Sequence, residues 1–109
     1  MATKSRYLLQ IHLLVNREDL PQLPQEIQED FETIYKQILQ LDPYRCGGFP
    51  SADKQGNLSG YRALEIDWLG VAYRLIYRIY EKPAPKRVFI ISFGEHDTAY
   101  DRAKERIGK

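Results

Sequence analysis

A chain of 109 residues with 43% hydrophobic content can bury one small core but has no room for separate cofactor and substrate domains, so one domain over residues 1–109 is expected. Sixteen Lys and Arg against fifteen Asp and Glu leave a net charge of +1, which argues against a globally basic nucleic-acid binder and confines any basic surface to a local patch. Cys46 is the single cysteine, which excludes an internal disulfide and a cysteine-based zinc cluster. No apolar run reaches the ~18 residues of a membrane span and the N-terminus lacks a signal-cleavage pattern, so a cytoplasmic protein is expected.

From Tyr7 to Val15 both alternating faces are largely apolar, which predicts an inner or well-covered first strand. Asn16–Leu20 can start a short helical turn, and Pro24 suits the first position of a new helix. In that helix Ile27, Phe31, Ile34, Ile38 and Leu41 recur at spacings of four and three, predicting an apolar stripe against a sheet. Asp42-Pro43 ends it, because proline disfavours helical geometry in the residue before it. Residues 42–60 hold four glycines and two prolines among polar side chains and predict a long loop, in which Tyr44 and Phe49 are candidate functional aromatics.

Three strand-like segments follow, Tyr61–Trp68, Ala72–Tyr80 and Arg87–Phe93, joined around Gly70 and around Lys82-Pro83-Ala84-Pro85-Lys86. They predict an antiparallel meander. Asp97 can cap a terminal helix reaching Ile107, with Tyr100, Ala103 and Ile107 at helical spacing. The fold class is therefore α+β, a compact antiparallel sheet with an N-terminal helical segment and a C-terminal helix.

Side-chain parity locates the chemistry. In the middle strand Arg74, Ile76, Arg78 and Tyr80 share one face, while Tyr73, Leu75, Tyr77 and Ile79 share the other, the better core. A structural strand seldom spends two positions of one face on guanidinium groups, so the Arg74 face is expected to be functional. Glu65 and Asp67 share a face in the preceding strand, and a cross-strand ion pair with Arg74 is the competing explanation. His12 and His96 are the only histidines and lie on different elements at no metal-ligand spacing, so no metal or other cofactor is expected.

The order of elements, with Asn57-Leu58-Ser59-Gly60-Tyr61 before the meander and Tyr73-Arg74-Leu75-Ile76-Tyr77 inside it, resembles the RelE/ParE toxin superfamily over roughly residues 20–107. Leu23-Pro24-Gln25-Glu26 and Leu41-Asp42-Pro43, opening and closing the long helix, add to the likeness. The resemblance implies a compact RelE-like fold and the toxin half of a type II toxin–antitoxin pair, often a ribosome-dependent messenger-RNA endonuclease that needs no metal. In that chemistry the substrate 2′-hydroxyl attacks the adjacent phosphate, and the protein supplies a base, a cation and an acid.

By the same resemblance Arg74 faces the scissile phosphate, His96 is a catalytic or phosphate-binding group, and Tyr100 stacks on a base or joins proton transfer. Arg78, Lys82, Lys86 and Arg87 are the expected RNA-binding cations, and a cognate antitoxin, messenger RNA and the ribosome are the expected partners. The chain departs from several ribosome-dependent members, which carry lysines on the strand equivalent to Tyr61–Trp68, by offering Glu65 and Asp67 there. Glu95 adds a further carboxylate where many relatives are basic. A ParE-like topoisomerase-binding toxin and a catalytically degenerate binding protein are the alternative readings.

Overall fold

The computed structural model describes residues 6–107. After strand β1 (Leu8–Ile11) the chain makes a π-helical turn over Val15–Asp19 and a 3-10 turn over Leu20–Gln22. One long helical segment follows, built from α1 (Gln25–Asp30), a π-helical stretch (Phe31–Tyr35) and α2 (Lys36–Leu41). Strands β2 (Ser51–Asp53), β3 (Arg62–Trp68), β4 (Val71–Tyr80) and β5 (Arg87–Glu95) lead to the terminal helix α3 (His96–Ile107). The five strands form one sheet in the order β1-β5-β4-β3-β2.

The expected meander of β3, β4 and β5 is present, with Glu65 opposite Arg74 and Arg74 opposite Gly94. Leu69 and Gly70 both take positive φ, 49° and 80°, as the tight hairpin between twisted strands requires. Between β4 and β5 the register slips at Ile76/Tyr77, so that Ile91 is the extra residue of a bulge.

Several expectations are corrected. The first strand is a four-residue edge strand with Leu8 53% exposed, because β5 alone pairs with it. That pairing is parallel, so the expected antiparallel sheet is mixed. The apolar stripe of the long helix is Ile27, Phe31, Tyr35 and Leu39, all buried, whereas Ile34 and Leu41 are exposed. A π-helical stretch lengthens the turn, so residues four apart stay aligned where a regular α-helix would rotate them off the sheet. Pro24 stands one residue before the helix, in an extended conformation. The long loop contains β2, which extends the sheet beyond β3.

Two apolar clusters occupy opposite faces of the sheet. The larger joins the helical stripe to Leu64, Ile66, Tyr73, Leu75, Tyr77, Val88, Ile90 and Phe93. The smaller joins Ala99 and Ala103 of α3 to Leu58, Tyr61, Ala63, Ile76 and Ile91. Parity thus separates the faces as expected, but α3 covers the middle of the face that carries Arg74 and Arg78. Ile76, midway between the two arginines, is fully buried.

A buried carboxylate clamps α3 in place. Asp19, 1% exposed, accepts the Phe93 N–H at 2.9 Å, Arg102 Nη1 at 2.8 Å, and Arg106 Nη1 and Nη2 at 2.7 and 2.8 Å. Arg102 and Arg106 are four residues apart and so lie on the same side of the helix.

Candidate functional site

Arg74 leaves β4 on the α3 face, two residues of β5 away from the start of α3 through its pairing with Gly94. Its Nη1 donates to the Tyr73 carbonyl at 2.8 Å and stands 4.0 Å from Asp67 Oδ1, with 15% of the side chain exposed. The ion-pair partner is therefore the diagonal Asp67 rather than the directly opposite Glu65. A 4.0 Å contact to a largely exposed carboxylate holds the guanidinium only weakly.

His96 opens α3 instead of preceding it. Its Nδ1 lies 2.8 Å from Asp97 Oδ1, and its ring meets Tyr100 edge-on at 4.6 Å between centroids. Helical spacing brings these two rings together, since residues four apart share a face. Among the described residues Arg74 makes no hydrogen bond or ion pair with His96 or Tyr100. The register sets Arg74 opposite Gly94, two residues before His96, while His96 and Tyr100 meet in the first turn of α3.

Lys54, on the loop after β2, was not a candidate from sequence. Its Nζ donates to the Tyr100 hydroxyl at 3.0 Å and lies 5.3 Å from the ring centroid. Only the pairing of β2 with β3 brings that loop to α3, as the Lys54 N–H bond to the Tyr61 carbonyl at 2.9 Å shows.

The four expected RNA-binding cations divide. Arg78 lies 5.4 Å from the Tyr61 ring and 5.1 Å from the Tyr80 ring, and Arg87 lies 4.3 Å from Tyr80, a stacked alternation of cations and aromatics. Neither arginine has a carboxylate partner among the described residues. Lys86 instead places its ammonium 4.3 Å from the Tyr7 ring, whose side chain belongs to the larger cluster on the other face. Lys82 is exposed in the loop before β5. Arg74 and Arg78, four residues apart on a strand, are separated by roughly 13 Å, too far for one phosphate group.

Both candidate loop aromatics are exposed and make contacts within the fold. Tyr44 donates to Glu81 Oε2 at 2.8 Å, and Phe49 packs edge-on against Tyr35 at 6.0 Å. Arg62, on the larger-cluster face as expected, reaches Asp53, Ser51 and the Tyr44 carbonyl at 2.7 Å each and the Tyr77 hydroxyl at 3.3 Å. Burial pushes the Tyr77 hydroxyl pKa up, and the Cys46 thiol beside it adds to the rise. His12 follows the edge strand β1 and bonds the Ile90 carbonyl of β5 through its backbone N–H; burial lowers its pKa, and its Nδ1 accepts the Leu14 N–H at 3.0 Å.

Comparison with protein-family models and with curated proteins finds no match. Among solved structures, the fold is similar to that of a chain in the crystal structure of the intact E. coli RelBE toxin–antitoxin complex. The TM-score is 0.55 and the sequence identity 20%, over 83% of this chain and 96% of that one. The α+β architecture is thus a RelE-like fold, a five-stranded sheet carrying helices on both faces.

Proposed function

We propose that this chain is the toxin half of a toxin–antitoxin pair and an endoribonuclease that cleaves messenger RNA at the ribosome. The reading is supported by a RelE-like fold in which Arg74 stands opposite Gly94, two residues before His96, and His96 meets Tyr100 edge-on. A guanidinium keeps its charge at every working pH and can hold two phosphate oxygens while the 2′-hydroxyl attacks. His96 can carry a proton to or from the reacting oxygens, and Lys54 fixes the Tyr100 hydroxyl beside it. None of these roles uses a metal ion. Arg78 and Arg87 extend the cationic surface along the sheet toward the rest of the strand.

Purified protein incubated with ribosomes and messenger RNA should leave 2′,3′-cyclic phosphate or 3′-phosphate ends, and chelator should not change the rate. Arg74→Ala should lower cleavage by at least about 100-fold while the fold persists, because the cation acts on charge developing at the phosphate. Wild-type cleavage by a folded Arg74→Ala protein would remove Arg74 from the site, and 3′-hydroxyl ends would sink the mechanism. The partner is a small antitoxin whose apolar and acidic segment covers the Arg78–Tyr80 end of the sheet. Copurification from the native host should recover it in near-stoichiometric amount.

The second reading is a family member that binds without cleaving. It is favoured by one observation, the placing of Asp67 beside Arg74 with Glu65 directly across the strand. Two carboxylates there disfavour an incoming phosphate. Absence of cleavage together with retained partner binding selects it, and topoisomerase binding then separates the ParE-like form.

A further inference from the structure

A cavity of about 650 Å3 opens between the first turns of α3 and the loop that follows β2. Tyr100 lines it, so it shares a wall with the candidate site. Its floor is apolar, from buried Leu58 and the ring of Tyr100. The Lys54–Tyr100 hydrogen bond ties the loop to the helix and fixes the width of the opening. Around the rim stand Gln55, Asn57, Asp101 and Lys104, whose side chains have no hydrogen-bond or ion-pair partner among the described residues.

This lining selects for a particular chemistry. A polyphosphate would meet the carboxylates of Asp97 and Asp101, and a simple cation would meet Lys54 and Lys104. A neutral planar ring that presents both donors and acceptors suits the amides and the apolar floor, and a phosphate attached to it can reach a lysine. That combination is a nucleotide unit of a single strand. An ionised carboxylate only accepts hydrogen bonds, so Asp101 favours a base edge bearing an amine.

We propose that the cavity between α3 and the 54–58 loop holds a nucleobase flanking the cleaved phosphate, and that Asp101 selects bases with an exocyclic amine over uracil. Cytosine and uracil isolate the effect, since an amine on one replaces a carbonyl on the other. The inference rests on the RNA-cleavage reading for its ligand class, but it concerns recognition and not chemistry.

The test measures binding of two labelled hexanucleotides, oligocytidine and oligouridine, each 2′-O-methylated so that neither can be cleaved. The wild-type protein should bind oligocytidine about tenfold more tightly. Asp101→Asn, at an exposed position whose side chain has no partner to lose, should bring the two within about twofold, because the amide can donate to the uracil carbonyl. Equal binding of the two by wild type, or a preference untouched by Asp101→Asn, overturns the assignment. Ribosomal cleavage measured in parallel separates the two readings. Cleavage without base preference leaves the nuclease and removes the base site, whereas preference without cleavage keeps the base site and removes the nuclease. Binding of neither oligomer overturns the base site whatever the cleavage result.

Discussion

On the face of the sheet covered by α1 and α2, buried polar groups satisfy one another, whereas on the α3 face Arg78 and Arg87 have no carboxylate partner among the described residues. Tyr77 shows the first condition: its hydroxyl donates to the Pro43 carbonyl at 2.6 Å, accepts from Arg62 Nε, and lies 3.1 Å from the Cys46 sulfur. Arg78 and Arg87 show the second, stacked on tyrosines and paired with no acid among the described residues. Apolar area explains the difference. The long helical segment lays four buried side chains across one face, while α3 contributes only Ala99 and Ala103 as fully buried residues. A helix with so narrow an apolar stripe covers the middle of a face and leaves its ends open. Those ends are where Arg74, the Tyr100 cavity and the arginine–tyrosine stack lie.

If the first face carries the stability, truncating it should be the most damaging change. Phe31→Ala should lower the unfolding free energy by about 3–5 kcal/mol, read from urea denaturation, because a fully buried ring leaves a cavity between helix and sheet. A loss below about 1 kcal/mol would mean that the helix is not the main cover.

The second face is held by charge as well as by packing. Asp19→Asn should cost about 3 kcal/mol, since it leaves Arg102 and Arg106 without the buried carboxylate that both bond. Amide exchange in α3 should rise more than in β4. Uniform exchange across both elements would show that α3 is not separately clamped.

Tyr77→Phe sharpens the comparison at a smaller scale. Removing one hydroxyl from the Pro43–Cys46–Arg62 network should cost about 1–2 kcal/mol and leave the proposed RNA cleavage unchanged. A large loss of cleavage would link the two faces functionally.

The smallest effect is expected from His12 and depends on pH. Burial, then the nearby Arg106 cation, lowers its folded-state pKa, against an opposing pull from Asp19. The unfolded chain therefore takes up a proton first as pH falls below the ordinary histidine value of about 6.5. Stability should decline below that value and level off once the folded protein is protonated too. His12→Asn keeps an acceptor for the Leu14 N–H and should flatten this decline. An unchanged pH profile would assign it to other groups.

Local pattern was enough for much of the architecture. Alternation in residues 61–93 identified three strands and placed Arg74, Arg78 and Tyr80 on one side and Tyr73, Leu75 and Tyr77 on the other, as the two clusters require. Strand parity has a period of two and depends on neither partner nor register. Asp42-Pro43 likewise ended the helix through a steric effect confined to two residues.

Only the tertiary structure decided which covering elements meet which strands. The helical stripe was misread because a π-helical stretch shifts the facing side chains, and its local sequence is ordinary helix-forming material. Parallel pairing of β1 with β5, the addition of β2, and the meeting of Lys54 with Tyr100 all join segments distant in sequence. So does the clamp of Asp19 on Arg102 and Arg106. Periodicity fixes the direction of a side chain relative to its own element, but the partner it meets depends on how the whole sheet and its covering helices pack.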